Sequence, residues 1–256
     1  MGIKLVSASS QYIINSQPSS YFPVSGHPCT MGCWFKPASA TAGDTLSLGQ
    51  TLATNFCLSI GMSATPRPIL TGRDGANNTI TILTTMTLGL WHFAVGRFIN
   101  TSNRRLSVLY PDGTVRSVND TATISTPTNL GALSVGCRLT SAASTFFDGN
   151  IAEAWWMDAD ICDSAANVPT WLMFQLAYGG PFSNPDLAPH TRDYLGMRRY
   201  IPPIHDCGPN DDMLCQAPEL GIENWFAPTA NGILSDHPPL PYWYVRPEEQ
   251  KAMFVV

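Results

Sequence analysis

The chain has 256 residues, a formal net charge of −5 and only 13% charged residues, about half the ~25% of an ordinary soluble domain. This length suits one large β-sandwich or two small domains, and the 44% of hydrophobic residues predicts a sizeable core. Basic residues cluster no further than Arg104-Arg105 and Arg198-Arg199, so the sequence predicts no nucleic-acid partner. It predicts no membrane span either, because no apolar run approaches the roughly 18 residues that a spanning helix needs.

The start of the chain contains no apolar stretch of signal-peptide length, so we expect the protein to remain in the compartment where it is made. The seven cysteines include no CxxC pair and no histidine at zinc-finger spacing, which argues against a structural zinc site. Most of the thiols are therefore expected to be reduced and buried. A bridge between Cys207 and Cys215 is an open alternative.

Alternating apolar and polar residues mark the strands in chain order. Residues 3–15 predict an opening strand or hairpin, and Thr30–Pro37 predicts a strand that ends where Pro37 has no amide hydrogen to donate. Two turn signals, Arg73–Asn77 and Pro111–Gly113, separate later strands. Further strands are predicted over residues 45–48, 55–60, 68–71, 78–85, 91–99, 105–110, 114–118, 130–138 and 149–158. Such closely spaced strands and turns are typical of a β-sandwich or barrel.

One helix is predicted after these strands. Asp163-Ser164 can cap a helix that runs through Trp171 and ends at Gly179-Gly180. The composition then changes to proline and aromatic residues, which predicts few regular elements. The aromatic residues are too numerous for a free disordered tail. We therefore expect residues 181–256 to form a C-terminal extension that packs on the sandwich of residues 1–180 or on a neighbouring subunit.

Three motifs carry a family resemblance. They are Trp34–Pro37, then Trp91–Val95 followed by Leu109–Gly113, and finally Phe147–Glu153. Together they resemble the concanavalin A-like, laminin-G-like jelly-roll superfamily over about residues 3–180. The resemblance implies an all-β jelly-roll sandwich of two antiparallel sheets with one short helix. Fold alone does not give function, because this architecture serves lectins, adhesion modules, glycosidases and capsid decorations.

The residues of these motifs have a structural interpretation. Trp34 and Trp91 are large enough to fill a core, and His92 lies in the same apolar strand pattern, which favours a packed core residue over a ligand. Asp112-Gly113 supplies the chemistry of a tight turn, and Asp148-Gly149 can hydrogen-bond a turn and bend the backbone into the last strand. We predict structural roles for this set.

Carboxylates near the last predicted strand are the candidates for hydrolysis. Glu153 lies two residues from Ile151, so strand alternation places it on the same side and predicts a partner for it near the rim. Glycosidases of the resembled fold carry alternating carboxylates that face one cleft. Here the odd spacing of Glu153 and Asp158 places them on opposite faces, while Asp158 and Asp160 share a face at the strand end. The sequence therefore predicts that the protein is not an enzyme.

Many members of the resembled superfamily hold calcium with Asp, Asn and carbonyl oxygens. The densest oxygen cluster here is weak as a calcium site, has no EF-hand spacing and is equally typical of a solvated turn; it consists of Asp206, Asn210, Asp211 and Asp212. We predict no cofactor, with calcium as the alternative. Four aromatic residues are candidates for stacking on a glycan or for an interface, namely Tyr178, Tyr242, Trp243 and Tyr244.

The segment Ser235–Pro239 resembles the tail of a jelly-roll subgroup found in bacteriophage and prophage genomes, often among virion genes. This resemblance implies a non-enzymatic virion structural protein that decorates or reinforces the capsid or tail. Its partners would be other virion proteins and further copies of itself in a homo-oligomer, and it would reside in the virion after assembly in the host cytoplasm. The alternative is a lectin-like module that binds glycans on the host surface.

Overall fold

The computed structural model describes residues 2–16, 22, 27–50, 56–127, 130–195 and 233–235. In these ranges two large antiparallel sheets pack face to face, accompanied by one α-helix and short 3-10 turns. This architecture confirms the predicted all-β sandwich. Within the same ranges, no helix is long and apolar enough to cross a membrane.

The larger sheet has eight strands. They are β1 (Gly2–Leu5), β3 (Cys29–Pro37), β8 (His92–Asn100), β9 (Asn103–Leu109), β10 (Val115–Asp120), β14 (Gly149–Met157), β15 (Thr191–Leu195) and β16 (Ile233–Ser235). Their hydrogen-bonded order is β10-β9-β8-β3-β14-β1-β16, and β15 pairs with the second half of β14. The strand that opens with Trp91-His92 thus lies beside β3 in the middle of the sheet, where both faces can be covered.

The smaller sheet has six strands in the order β2-β11-β4-β5-β6-β7. They are β2 (Ile13–Ser16), β4 (Gly43–Gly49), β5 (Phe56–Met62), β6 (Pro68–Asp74), β7 (Asn77–Thr81) and β11 (Ala132–Val135). A separate two-stranded hairpin follows β11 and consists of β12 (Arg138–Leu139) and β13 (Ala143–Ser144). The turn predicted over Arg73–Asn77 joins β6 to β7.

The opening segment departs from one of its two predicted forms. β1 pairs with β14 in the larger sheet, whereas β2 pairs with β11 in the smaller sheet. The hairpin alternative is therefore wrong. A 3-10 turn at Ser7–Ser9 and a left-handed Ser10 with φ 51° carry the chain from one sheet to the other, so the two strands cannot pair.

Inward-facing side chains from both sheets fill the space between them. The larger sheet contributes Met31, Cys33, Phe35, Leu106, Val108, Ile151, Ala154 and Trp156, and the smaller contributes Leu46, Leu48, Leu58, Ile60, Leu70, Leu133 and Val135. Burying each large apolar side chain contributes about 1.5–3 kcal/mol. This inter-sheet core holds the sandwich together.

The outer face of the eight-stranded sheet is also covered. The helix α1 (Thr170–Gly179) buries one side against it, through Leu172, Met173, Leu176 and Ala177. The sheet meets this side with Trp34, Trp91, Phe93, Val95, Leu109, Ala152, Trp155 and Met157. Trp34 Nε1 also donates a hydrogen bond to the Ala177 carbonyl at 2.6 Å. The helix α1 therefore covers part of the outer face of the larger sheet.

The helix begins later than the sequence predicts. Its first residue is Thr170, preceded by Pro169, and no side chain caps it. Asp163, the predicted cap, instead accepts a hydrogen bond from the Ala165 amide at 2.9 Å and closes a turn. The fully buried Arg97 guanidinium binds carbonyl groups in the same loop, so the loop cannot continue as helix.

β14 contains a bulge that changes the orientation of Glu153. Ala152 pairs with Trp34 and Trp155 pairs with Gly32, so two residues of β14 oppose one of β3. Glu153 is the inserted residue, with φ 50°. Ala154, rather than Glu153, therefore joins Ile151 in the inter-sheet core, and the simple alternation expected from the sequence is interrupted here.

Two strands come from the region predicted to be a C-terminal extension. β15 pairs with Ala154–Met157 of β14, and β16 pairs with Gly2–Lys4 of β1. Both strands therefore add to the larger sheet. Residues 196–232 and 236–256 lie outside the described residues.

Candidate functional site

A row of hydroxyl side chains crosses the outer face of the six-stranded sheet. Adjacent strands place Ser134 beside Ser47, Ser47 beside Ser59, Ser59 beside Thr71, and Thr71 beside Thr79. We call these five residues the hydroxyl ladder. The Ser47 and Ser134 Oγ atoms are 2.7 Å apart, and the Thr71 and Thr79 Oγ1 atoms are 3.1 Å apart. The first four residues are buried, whereas Thr79 is exposed.

The hairpin β12–β13 covers one end of the hydroxyl ladder. The Leu139 amide donates to Ser47 Oγ at 3.0 Å, and Ser47 and Ser134 both donate to the Cys137 carbonyl. A Cβ atom on Gly49 would lie 1.9 Å from the Leu139 carbonyl oxygen, so the hairpin can pack this closely only against a glycine. The hairpin thereby fixes the rotamers of the buried hydroxyls and leaves the Thr79 end open.

An ion pair links the hairpin to the sheet beside the ladder. Arg138 Nε lies 2.8 Å from Asp44 Oδ2, and the Asp44 side chain is fully buried. Ser59 Oγ donates a hydrogen bond to Asp44 Oδ1 at 2.8 Å. A Cβ atom on Gly61 would lie 2.7 Å from Asp44 Oδ1, so the glycine provides the space that the carboxylate occupies.

The electrostatics of Asp44 combine two opposing effects. Burial raises the pKa of Asp44 above its ordinary value, because a desolvated carboxylate is disfavoured in its charged form. The charge of Arg138 and the hydrogen bonds from Arg138 and Ser59 act in the opposite direction. The net effect is a raised pKa for Asp44, so the charged form of this carboxylate depends on Arg138.

The open end of the ladder forms a polar corner on β6 and β7, which we call the β6–β7 corner and define as Arg73, Asn77 and Thr79. Arg73 Nη1 donates to Asn77 Oδ1 at 2.7 Å. Arg138 Nη1 also donates to Asn77 Oδ1, at 3.3 Å. Two guanidinium groups therefore converge on one amide oxygen, and the exposed Asn77 and Thr79 side chains lie beside them.

A second candidate surface lies on the opposite side of the sandwich. Trp171, Phe174 and Tyr178 form an aromatic stripe along α1 at helical spacing, and Phe174 and Tyr178 pack partly against the core beneath the helix. Trp171 is 64% exposed, and the Phe174 and Tyr178 rings stack with centroids 6.0 Å apart. Tyr178, predicted as a glycan or interface aromatic, also packs against Trp34 and is half-buried. The stripe has the chemistry of a protein contact or of a sugar-stacking surface.

The carboxylates considered for hydrolysis have separate partners or positions. Asp160 is bound by Arg97, at 2.6 Å from its Nε. Asp158 pairs with Arg192 and lies 3.4 Å from His190 Nδ1. Glu153 occupies the β14 bulge. Asp158 and Asp160 thus neutralise cations that hold loops against the sheet.

The turn motifs lie where the fold needs special backbone geometry. Asp112 Oδ1 accepts a hydrogen bond from the Thr114 amide at 3.0 Å, and Gly113 has φ 82°. Gly149 has φ 149°, and a Cβ atom there would lie 2.2 Å from the Lys36 carbonyl oxygen. The neighbouring Asp148 accepts a hydrogen bond through its carbonyl from the Ala38 amide. These residues shape the turns.

Several predicted candidates fall outside the described residues. These are the calcium candidates Asp206, Asn210, Asp211 and Asp212 and the aromatic residues Tyr242, Trp243 and Tyr244. Among the residues that the structure describes, no group of three or more His, Cys, Asp or Glu side chains is placed to hold a metal ion.

The cysteines with described positions are free thiols. Cys29, Cys33, Cys57 and Cys137 are buried, whereas Cys162 is half-buried. Burial raises the pKa of the Cys57 and Cys137 thiols to about 12, so both remain protonated and unreactive at neutral pH.

Sequence reasoning missed the hydroxyl ladder, Asp44 and Arg138. A signal for the ladder exists in Leu46-Ser47-Leu48, Leu58-Ser59-Ile60 and Leu70-Thr71, where hydroxyl residues alternate with inward-facing apolar residues. This alternation marks the outer face of each strand. The pairing of Asp44 with Arg138 has no local signal, because the two residues are 94 positions apart.

Comparisons with known proteins agree with this architecture. Residues 8–161 match a family model described as concanavalin A-like lectin/glucanases superfamily. No curated protein matches the sequence. Similar solved structures include a carbohydrate-binding module of the Ruminococcus gnavus IT-sialidase bound to α2,3 sialyllactose, which is 10% identical, with 69% of this chain and 96% of that chain covered and a TM-score of 0.49.

Two other solved structures are similar over comparable spans. A heptameric SAP-like pentraxin from Limulus polyphemus is 14% identical, with 65% of this chain and 75% of that chain covered and a TM-score of 0.45. Mouse laminin alpha1 chain domains LG4-5 are 11% identical, with 60% of this chain and 41% of that chain covered and a TM-score of 0.45.

Proposed function

The chain belongs to the concanavalin A-like lectin/glucanases superfamily, whose family model matches more than half of its length, and we propose that it is a non-catalytic carbohydrate-binding protein. The observation that carries this proposal is the β6–β7 corner at the open end of the hydroxyl ladder. There a hydroxyl, an amide and a guanidinium project from two paired strands. The binding surface would be the corner together with the adjacent part of the hairpin.

The ladder suits sugar recognition because its buried part holds the exposed part in place. Thr79 Oγ1 is hydrogen-bonded to the buried Thr71, so its orientation is set before a ligand arrives. A hydroxyl can both donate and accept hydrogen bonds, which matches the hydroxyl groups of a sugar. Polar groups pre-positioned on strands lose little conformational entropy on binding.

A binding function without catalysis accords with the carboxylate beside the ladder. Glycoside hydrolysis uses two carboxylates that flank the scissile bond. Asp44 is fully buried, accepts a hydrogen bond from Ser59 and pairs with Arg138. It is therefore held as part of the scaffold, and we propose no enzymatic activity.

The test is binding of the full chain to an array of neutral and acidic oligosaccharides, followed by calorimetry on the best binder. Thr79→Val removes the exposed hydroxyl and should weaken binding about 5-fold, since one hydrogen bond contributes about 1 kcal/mol. The matched control is Ser117→Ala. It removes one member of the Ser107–Ser117 hydroxyl pair, whose Oγ atoms are 2.8 Å apart on the larger sheet. Absence of binding to every saccharide, or equal binding by Thr79→Val, would contradict the proposal.

A second proposal retains the virion role: decoration or reinforcement of a phage capsid or tail by a homo-oligomer located in the virion after assembly in the host cytoplasm. The observation that favours it is the aromatic stripe, because an exposed Trp171 beside Phe174 and Tyr178 has the composition of a subunit contact. Purified virions should contain the chain at a stoichiometric copy number, and Trp171→Ser should reduce that number. A chain that is missing from purified particles would exclude this role.

A further inference from the structure

We propose that the β6–β7 corner binds an anionic saccharide and that Arg73 contacts its acidic group. This inference rests on the proposed carbohydrate-binding function and names the ligand class for the same surface. The shared chemistry is an oxyanion, either a carboxylate or a sulfate, carried on a sugar ring. A guanidinium binds both anions through paired hydrogen bonds.

The charges at the corner do not balance. Arg138 and Arg73 both donate to Asn77 Oδ1, at 3.3 and 2.7 Å. Asp44 neutralises Arg138, through contacts at 2.8 and 3.3 Å. Arg73 makes no ion pair with any described carboxylate. One positive charge therefore remains uncompensated beside the exposed Asn77 and Thr79 side chains.

The hydrogen bonding of Arg73 supports the same conclusion. Its Nη1 atom donates to Asn77, whereas its Nη2 atom has no acceptor among the described residues. The neighbouring Asp74 does not supply one, because its Oδ2 atom accepts a hydrogen bond from the Ser125 amide. The Nη2 group of Arg73 thus has unmet donor capacity, which an oxyanion on a ligand would satisfy.

The surroundings favour an acidic sugar over a polyanion such as nucleic acid. The chain has a net charge of −5, so its long-range field repels polyanions. Attraction must then come from short-range contacts at one cation, supported by the neutral groups of Asn77 and Thr79. A saccharide that carries one acidic group beside several hydroxyls matches this combination.

The test is calorimetric titration of the full chain with three probes: galacturonic acid, its methyl ester and galactose 6-sulfate. The ester keeps the sugar and removes the charge, so it should bind at least 10-fold more weakly than the acid. Arg73→Gln should weaken binding of the acidic probes about 10- to 100-fold, and Arg73→Lys should weaken it less. The matched control is Arg116→Gln, because Arg116 is an exposed arginine on β10 of the other sheet. It should bind like wild type.

Preference for galacturonic acid identifies a carboxylate and preference for the sulfated probe identifies a sulfate, and either outcome supports the proposal. Thermal unfolding of Arg73→Gln establishes that the variant is folded. Equal binding of the acid and its ester, or unchanged binding by Arg73→Gln, would overturn the proposal. If Thr79→Val still weakens binding in that case, the carbohydrate-binding function stands without the anion. If no saccharide binds, acidic or neutral, both proposals fail.

Discussion

Arg138 and Asp44 form an ion pair between the covering hairpin and the six-stranded sheet, with Arg138 Nε 2.8 Å from Asp44 Oδ2. The carboxylate is fully buried and the arginine side chain is only 11% exposed. Breaking one partner of a buried pair leaves the other charge desolvated, which is more damaging than replacing both. Arg138 can neutralise Asp44 only while the hairpin lies over the hydroxyl ladder. The ion pair therefore stabilises the hairpin in that position.

Replacing Arg138 should destabilise the protein. Arg138→Gln leaves the ionised Asp44 without a cation, and we expect the free energy of unfolding to fall by about 3 kcal/mol at pH 7. Urea denaturation followed by tryptophan fluorescence measures this change. The double variant Arg138→Gln, Asp44→Asn should recover part of the loss, and a double variant less stable than Arg138→Gln would contradict the coupling.

The deficit in the free energy of unfolding of Arg138→Gln, relative to wild type, should depend on pH. Burial raises the pKa of Asp44 in the folded state, and removal of Arg138 raises it further. A carboxyl whose folded pKa exceeds its unfolded value contributes stability that is fully present below the unfolded pKa and is lost as pH rises through the folded pKa. The deficit should therefore shrink as pH falls through the raised folded pKa of Asp44, when the carboxyl takes up a proton. Denaturation at several pH values tests this, and a constant deficit would refute it.

His92 should make the fold less stable in acid. Its ring is fully buried, and burial lowers the pKa of His92 from 6.5 to about 4. A histidine with a depressed folded pKa contributes stability that is present above the unfolded pKa and is lost as pH falls through the folded value, here about 3 kcal/mol. Titration of the imidazole by NMR gives the pKa directly. His92→Phe should flatten the stability profile between pH 6.5 and 4, and a pKa near 6.5 would disprove the expectation.

The contacts of Arg97 with Asp160 and with the loop before α1 should contribute strongly to the free energy of unfolding. Arg97 is fully buried and binds Asp160 through Nε and Nη2, at 2.6 and 2.9 Å. Arg97→Gln leaves Asp160 unpaired and should lower the free energy of unfolding by about 3–5 kcal/mol. Arg105→Gln is the matched control, because Arg105 contacts the same loop from a more exposed position. Arg105→Gln should lower the free energy of unfolding by about 1 kcal/mol or less. Equal losses for the two variants in thermal unfolding would contradict a special role for Arg97.

Gly49 should be required for close packing of the β12–β13 hairpin against the hydroxyl ladder. Gly49→Ala places a Cβ atom 1.9 Å from the Leu139 carbonyl oxygen, so the hairpin must move and its bonds to Ser47 must stretch or break. We expect a loss of about 3 kcal/mol, at the upper end of overpacking effects. Gly113→Ala is the comparison. It meets no atom within 4 Å and should lose only about 1 kcal/mol for its positive φ. Amide exchange should rise at Leu139 in Gly49→Ala alone, and unchanged exchange would exclude hairpin displacement.

Local patterns were sufficient to predict most strands and their turns. Trp91–Phe98 and Leu106–Gly113 predicted neighbouring strands with a turn at Asp112-Gly113, and the structure forms β8, β9 and that turn. The outward serines of β4 and β5 could also have been found from their alternation with leucine and isoleucine. These features depend on neighbours a few residues apart, and their period is visible in the sequence.

The sequence by itself determined closely spaced β-strands typical of a sandwich or barrel and one helix, because alternating hydrophobicity and turn residues act over short segments. The resemblance of its motifs implied the two-sheet jelly roll. Only the tertiary structure decided that β1 and β2 join different sheets, that the β14 bulge inserts Glu153, and that Arg138 reaches Asp44. These features depend on which distant strands pair and which side chain neutralises a buried charge. No local period encodes such contacts, since their free energy exists only once the two sheets and the hairpin have packed together.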